Sequence, residues 1–182
     1  VGAAFIIAEG PDGLYLIDQH AAHERILFEQ FLAQQRGQGV VSQGLVAAAT
    51  TYLSPSQARL VEEQLPLLGA LGFEIEPFGP NAFRIRAVPV LLARSDPAAA
   101  LAAVVADLEN EETPLQSQVE SLVIKRVCKT AAVKAGQVLS REEMEAMIQQ
   151  LEACDVPHTC PHGRPTLIHL SVAQLARQFG RT

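Results

Sequence analysis

The stretch LYLIDQHAAHERILFE, residues 14–29, predicts the local structure around which the rest of the chain is arranged. Its apolar first part, Leu14 to Ile17, is typical of a buried strand that ends at Asp18. The residues that follow are typical of a helix, on which His20 and Glu24 lie one turn apart on the same face. Asp18 falls at the corner between strand and helix, where rigid elements hold functional side chains. These two carboxylates and one imidazole could together hold a divalent metal.

The other polar residues of this helix are expected to have ordinary roles. Glu29 lies five residues after Glu24, about 140° further round the helix, so we expect it to stand outside that metal site. Arg25, four residues before Glu29, is its expected ion-pair partner. His23 points away from Glu24 and is expected to be solvated. The plain alternative for His20 and Glu24 is a surface pair on the helix.

A second group of potential ligands lies near the C-terminus. Cys160 and His162 are two residues apart on a loop stiffened by Pro161, Gly163 and Pro165. Zinc accepts thiolate, imidazole and carboxylate ligands together, and a catalytic zinc site leaves one position open. No single segment has four ligands at a standard finger spacing. The predicted metal site therefore depends on the two groups meeting in the fold.

Four segments in order resemble one known family. The pattern D-Q-H-A-x-x-E-x-x-x-x-E, from Asp18 to Glu29, resembles the endonuclease motif in the C-terminal domain of the MutL family of DNA mismatch-repair proteins. The later segments resemble the same family and cover essentially the whole chain: Cys128-Lys129 followed by Lys134-Ala135, then Cys160 to Pro165, then Phe179-Gly180-Arg181. Some homologues lack the nuclease motif, so its presence implies the nicking class.

The resemblance implies a metal-dependent endonuclease that nicks double-stranded DNA during mismatch repair, with bound Zn²⁺ and activating Mn²⁺. The expected catalytic residues are Asp18, His20, Glu24 and Glu29. The expected metal ligands are Asp18, His20, Glu24, Cys128, Cys160 and His162. The expected DNA-binding residues are Lys129, Arg164 and Arg181. Thiolates favour zinc, whereas Asp18 and Glu24 could share a harder ion, and the sequence leaves open which ligand serves which metal.

The resemblance also implies several partners. They are a second copy of the chain, double-stranded DNA, the DNA polymerase sliding clamp, MutS and an N-terminal ATPase domain. The expected clamp-binding segment is Gln43 to Ala48, with Gln43, Leu45 and Val46 as the contact residues; Ala48 stands where the family usually has Pro. Residues 44–53 could equally be an ordinary edge strand. A second hypothesis is therefore a non-catalytic dimerisation and clamp-docking module with a structural zinc.

Composition sets limits on these expectations. The 182 residues suit one domain or two intimate subdomains, and the 48% apolar content is ample for a core. Three cysteines and no secretory signal favour a reducing compartment. The resemblance implies the bacterial cytoplasm, in association with the nucleoid. No apolar run has membrane-spanning length. A net charge of −6 suits DNA poorly, so the isolated domain should bind DNA weakly. The start at Val1, without Met, indicates a piece of a longer protein.

Mixed strands and helices predict an α/β (α+β) fold. Strands are expected at 1–8, 14–18, 44–53, 73–76, 82–88 and 166–170. Helices are expected from His20, from the capping boxes at Ser54 and Ser140, from Asp96-Pro97, and over about 115–135. The resemblance implies two lobes: a dimerisation and nuclease lobe from both chain ends, 1–53 and 115–182, and an inserted regulatory lobe, 54–114.

Two alternatives stay open. Cys154, His158, Cys160 and His162 form a C-x3-H-x-C-x-H run that could hold one structural zinc without Asp18 or Glu24. Lys125 and Arg126 could line a DNA cleft or belong to a solvated helix face. His169 is expected to be buried in a strand.

Overall fold

The computed structural model describes residues 2–110, 116–134 and 136–181. In chain order the elements are β1 (Phe5–Gly10), β2 (Gly13–Asp18), α1 (Gln19–Arg36), β3 (Ser42–Tyr52), α2 (Pro55–Ala70), β4 (Glu74–Pro77), β5 (Ala82–Pro89), a 3₁₀ turn (Val90–Leu92), α3 (Pro97–Asn110), α4 (Gln116–Ala131), α5 (Arg141–Glu152), β6 (Leu167–Ser171) and α6 (Val172–Gln178). The predicted mixed fold is confirmed. Every helix in the described ranges is too short or too polar to cross a membrane.

The chain forms two compact units. The first unit comprises Val1–Glu29 and Ala132–Thr182, and the second comprises Gln30–Ala131. The second unit is larger than the predicted insertion 54–114, because β3 pairs with β5 and α3 packs against α4. The dimerisation and regulatory roles of the predicted lobes stay predictions.

The first unit contains an antiparallel sheet in the order β1-β2-β6. The predicted strand from residue 1 begins only at Phe5, because Gly2 and Ala3 have positive φ angles of 62° and 51° that break an extended chain. The turn between β1 and β2 requires glycine at Gly13, where φ is 152° and a Cβ would lie 2.2 Å from the Leu170 carbonyl oxygen. This close approach lets β2 run alongside β6.

One face of this sheet closes the core of the first unit. Ile6 and Ile17 are opposite each other on β1 and β2 and pack with Ile26 of α1 and Leu151 of α5. Helix α5 begins at the predicted capping box, in which the Ser140 hydroxyl accepts from the backbone N–H of Glu143 at 3.2 Å. The core therefore packs α5 against β2, which ends at Asp18, and against α1, which follows it.

The opposite face of the same sheet is apolar and exposed. Ile7, Leu16 and Ile168 are direct cross-strand partners, and Phe5 adds to the same face. Ile7 and Ile168 are 49% and 58% exposed. Phe5, Leu16 and Ile168 line a hollow of about 450 Å³. A contiguous apolar surface of this kind is characteristic of a protein–protein contact.

His169, on β6, is half-buried rather than buried as expected. Its ring stacks on Tyr15 of β2 with 4.6 Å between ring centroids, and its Nε2 lies 3.6 Å from Asp12 Oδ2. The hydrogen bond from the Tyr15 hydroxyl lowers the pKa of Asp12. These contacts hold the β1–β2 turn against β6.

The second unit contains an antiparallel sheet in the order β3-β5-β4, with helices α2, α3 and α4. Side chains alternate along β5, within the predicted strand 82–88: Phe83 and Ile85 are buried, whereas Arg84 and Arg86 point outward to Glu76. Arg126 of α4 makes a bidentate ion pair with Asp107 of α3. Arg126 therefore contributes to the packing of α4 against α3, a role that differs both from the predicted DNA cleft and from a solvated helix face.

Pairing between β3 and β5 is interrupted in the middle of β3. Gly44 is opposite Ala87, and the next pair joins Ala49 to Ile85. Three more residues on β3 than on β5 lie between these pairs, so this part of β3 bulges from the ladder. Val46 within it is fully exposed.

Candidate metal centre

A buried carboxylate occupies the centre of the predicted site. Glu24, on α1, has no exposed surface, and an ionised group at such a depth requires partners. Its Oε1 lies 2.9 Å from His20 Nε2, and its Oε2 lies 3.1 Å from His162 Nδ1 and 3.6 Å from Arg164 Nη2. The interpretation of His20 and Glu24 as an ordinary surface pair is wrong.

Three predicted ligands come together here. One ligand atom from each of Glu24, Cys160 and His162 lies within 4.8 Å of the other two. Glu24 and Cys160 are buried, and His162 is 32% exposed at its side chain, so the cluster opens to solvent on one side. The helix and the C-terminal loop therefore meet in the fold, as the metal prediction required.

The hydrogen bond of His20 fixes its tautomer. Nδ1 of His20 lies 2.8 Å from the carbonyl oxygen of Val133, and a carbonyl can only accept, so Nδ1 carries the proton. In the neutral ring Nε2 then presents a lone pair towards Glu24 Oε1. Within the described part of the chain, Oε1 has no correctly aligned hydrogen-bond donor. A ring protonated at Nε2 as well would donate to Oε1 across this 2.9 Å contact, whereas a neutral ring would leave two acceptors that a cation could join.

His23 is not solvated as expected. It is half-buried, and its Nδ1 accepts a hydrogen bond of 3.0 Å from the backbone N–H of Val133. Burial, followed by the charge of the neighbouring His20, lowers the pKa of His23. The helix pattern did place His23 on another face than Glu24, but the segment around Val133 covers that face.

Two other side chains of α1 hold the loop that carries Cys160. Arg25 is buried, and its Nε donates to the carbonyl oxygen of Thr159 at 2.6 Å. Glu29 accepts from the backbone N–H groups of Asp155 and Val156 at 2.6 and 3.1 Å, and lies 3.5 Å from Arg25. The predicted pair of Arg25 and Glu29 is present. Glu29 lies outside the metal cluster, and its catalytic role stays a prediction.

Asp18 lies at the strand-to-helix corner, as predicted. Its Oδ1 accepts from the backbone N–H of Ala21 at 2.9 Å, which satisfies one of the free amides at the start of α1. Its own N–H donates to the carbonyl oxygen of Thr166 at 2.9 Å. Asp18 and Arg164 both line the hollow beside Phe5. Among the described residues, Asp18 is outside the group of ligand atoms that lie within 4.8 Å of one another, so its role as a metal ligand stays a prediction.

Arg164 is 54% exposed at its side chain and connects the hollow with the cluster. A hydrogen bond with the Cys160 side chain, followed by the charge of Glu24, raises the pKa of the Arg164 guanidinium. The backbone also closes this loop, because Cys160 N–H donates to the Arg164 carbonyl oxygen at 2.8 Å. Arg164 thus presents a fixed positive charge beside the cluster.

The remaining predicted site residues lie elsewhere. Cys128 is buried on α4 of the second unit, and Lys129 beside it is exposed. Arg181 is exposed after α6, and Lys134 is exposed after Val133. Ala135 of the same motif lies outside the described residues. The roles of Cys128, Lys129 and Arg181 stay predictions.

The alternative zinc site built on Cys154 and His158 does not form in the described residues. The Cys154 thiol donates to the carbonyl oxygen of Gln150 at 3.3 Å and packs against the core of the first unit. Burial, followed by the charge of Glu29, raises the pKa of Cys154 to about 11, so the metal-binding thiolate is disfavoured. His158 is exposed at the surface.

The cluster fits a metal ion chemically. A carboxylate, a thiol and an imidazole match the mixed ligand set of zinc. His20 Nε2 contacts the other oxygen of Glu24 and is outside the group of ligand atoms that lie within 4.8 Å of one another in the described residues. The Nδ1 proton of His20, bonded to a backbone carbonyl, is the outer-shell arrangement that orients metal-binding histidines.

Comparison with known proteins identifies the family to which the chain is similar. Residues 1–139 match a family model described as the MutL C terminal dimerisation domain. A DNA mismatch repair protein MutL from Halothermothrix orenii is 37% identical over 178 residues, covering 97% of this chain and 28% of that protein. The corresponding protein of Phenylobacterium zucineum is 39% identical over 185 residues, covering 100% of this chain and 29% of that protein.

The class is therefore that of a C-terminal dimerisation domain. The chain belongs to the MutL family of DNA mismatch-repair proteins. It spans less than a third of the length of these relatives, at 28% to 29%.

Proposed function

We propose that this domain is a metal-dependent endonuclease that nicks double-stranded DNA during mismatch repair. The observation that carries the proposal is the convergence of Glu24, Cys160 and His162 within 4.8 Å, with His20 Nε2 2.9 Å from the same carboxylate. A buried carboxylate needs charged or hydrogen-bonding partners, and a bound cation would add one beside Arg164.

The proposed metals divide by ligand chemistry. Zn²⁺ suits the thiol of Cys160 with His162 and Glu24, whereas Mn²⁺ suits the harder oxygens of Asp18 and Glu24. A bound divalent cation would supply an activated water and neutralise charge on the scissile phosphate. Cys128 remains a further proposed ligand.

The chain's own residues would bind and orient the DNA backbone. Arg164 presents its guanidinium beside the cluster, where it can pair with phosphate oxygens. Glu24 keeps His20 and His162 in place from its buried position, and Asp18 is fixed by the cap it makes with Ala21. Lys129 and Arg181 are proposed additional phosphate contacts.

The net charge of −6 opposes DNA binding by this domain alone. We therefore propose that the sliding clamp, MutS and the N-terminal ATPase domain bring DNA to it. The test is nicking of supercoiled plasmid by the full-length protein with Mn²⁺ and the clamp. Absence of metal-dependent nicking under these conditions would remove the endonuclease proposal.

Zinc content is expected to depend on the C-terminal loop. Replacing Cys160 with Ser or His162 with Ala removes one ligand, so bound zinc measured by elemental analysis should fall and nicking should fall with it. The matched control is Cys154→Ser, since the Cys154 thiol already donates to the Gln150 carbonyl. If Cys154→Ser loses as much zinc as the other two variants, the alternative zinc site of Cys154, His158, Cys160 and His162 is supported instead.

Homodimerisation is expected through the exposed face of the first unit's sheet. Ile168→Asp puts a charge into the apolar row with Ile7 and Leu16, so it should dissociate the dimer at micromolar concentration. Sedimentation is the measurement. Val138→Asp is the control, because Val138 is 81% exposed and is not among the residues that line the hollow. If the wild-type chain sediments as a monomer, the homodimer proposal is wrong. If Ile168→Asp still sediments as a dimer, the interface lies on another surface.

A second candidate function, clamp docking, is favoured by the interruption of β3. Gln43 is exposed, and the bulge presents Leu45 and Val46 outside the regular ladder. A strand at the edge of a sheet, as β3 is, is a common peptide-recognition element. Ala48 stands where the family usually has Pro, so the affinity of this segment for the clamp needs a direct measurement.

Replacing Gln43 and Leu45 together with Ala is expected to weaken binding to an immobilised clamp by about tenfold or more, as the loss of anchoring contacts does. Fold and zinc content should remain unchanged. Thr50→Ala, on the regularly paired part of β3, is the control. Unchanged clamp binding by the double variant would place docking elsewhere.

A further inference from the structure

His23 contacts the backbone that holds His20. The N–H of Val133 donates to His23 Nδ1 at 3.0 Å, and the carbonyl oxygen of the same residue accepts from His20 Nδ1 at 2.8 Å. One residue's backbone is thus held by two imidazoles from adjacent turns of α1. The proposed function assigns no role to His23.

The two hydrogen bonds require opposite tautomers. A backbone N–H can only donate, so His23 Nδ1 must carry a lone pair and its proton is on Nε2. A carbonyl can only accept, so His20 Nδ1 must carry the proton. In the neutral ring, His20 Nε2 then directs its lone pair towards Glu24 Oε1, 2.9 Å away.

The backbone at Val133 has no regular secondary structure to hold it. Residues 132–134 follow α4 and form neither helix nor strand. Polar groups in such a segment need side-chain partners when they are shielded from water. The Val133 side chain contacts the core of the first unit, and the two histidines satisfy its backbone N–H and carbonyl.

We propose that His23 is a positioning residue: by accepting the Val133 N–H it sets the direction of the Val133 carbonyl, which in turn fixes the tautomer and orientation of His20 for metal binding. The metal-binding part of this inference rests on the proposed function. The tautomer part does not, because both hydrogen bonds exist in the protein without a metal.

The test compares His23→Asn with His23→Leu. The two replacements have nearly the same shape, but only Asn offers an acceptor close to the position of His23 Nδ1. The first measurement is the imidazole ¹H–¹⁵N spectrum of the metal-free 182-residue chain, which reports the tautomer of His20. We expect the Nδ1–H tautomer in wild type and His23→Asn, and a mixture of tautomers in His23→Leu.

The second measurement is zinc affinity by chelator competition. His23→Asn is expected to bind like wild type, and His23→Leu roughly tenfold or more weakly, as for other changes behind a metal ligand. If His23→Leu does not fold, His23→Gln replaces it, because its longer amide places the acceptor near Nε2 instead. If His23→Asn and the variant compared with it, His23→Leu or His23→Gln, show the same His20 tautomer and the same zinc affinity, the proposal is wrong. If wild type binds no zinc, the metal proposal fails, and the spectrum alone decides whether His23 positions His20.

Discussion

Replacing Asp18 with Asn in the full-length protein is expected to abolish Mn²⁺-dependent nicking of supercoiled plasmid. The amide keeps an oxygen that can accept from Ala21 N–H, so the start of α1 should remain intact. What is lost is the anionic oxygen that a hard cation requires. Metal-ion catalysis contributes several kcal/mol, so the rate should fall by at least about a hundredfold.

The matched control for this experiment is Asp12→Asn. It makes the same change of charge in the same unit, at a carboxylate that contacts Tyr15 and His169 instead of the cluster. The dimer, measured by sedimentation, should persist in both variants. If Asp18→Asn nicks as well as wild type, the metal-cleft mechanism is wrong and the docking-module hypothesis replaces it.

The second large effect is expected at Glu24. Glu24→Gln keeps the size of the side chain but removes the charge that faces His20, His162 and Arg164. Substitution of a residue that hydrogen-bonds to a metal ligand lowers metal affinity by roughly 10–100-fold. The zinc affinity should fall by more than this in Glu24→Gln, because the ligand itself is altered. Chelator competition measures this loss, and circular dichroism checks the fold. Zinc binding that is insensitive to Glu24→Gln would exclude Glu24 as a ligand.

Glu24→Lys should be more severe. It places a positive charge at a position with no exposed surface, among groups that can themselves be cationic. An unpaired buried charge costs about 3–5 kcal/mol of unfolding free energy, which urea denaturation measures. Glu145→Lys is the control, since Glu145 makes an exposed pair with Arg141 and should change stability by less than about 1 kcal/mol.

Local signals in the sequence predicted the elements that surround the site. The strand ending at Asp18 and the capping boxes at Ser54 and Ser140 are confirmed, because each depends on residues close together in the chain. The meeting of Glu24 with Cys160 and His162 was predicted through the resemblance alone. Spacing could not predict it, since more than a hundred residues separate the two groups.

The contacts that the sequence did not predict involve backbone partners. His23 bonds the N–H of Val133, 110 residues further along the chain, and Glu29 bonds two amides in the C-terminal loop. Every residue except proline has such an N–H, so residue type gives no signal of it. Helical spacing correctly placed His23 and Glu24 on different faces of α1. It could not predict which segment would cover the face that carries His23.

The interruption of β3 behaves as a looped insertion held between two fixed pairs. Because Gly44–Ala87 and Ala49–Ile85 are set independently, adding or removing one residue between them would not slide the strand past β5 or turn its inward residues outward. This segment can therefore accept changes of length and sequence that a regular strand cannot. A recognition sequence carried there is free to diverge with its partner while the sheet beneath it stays the same.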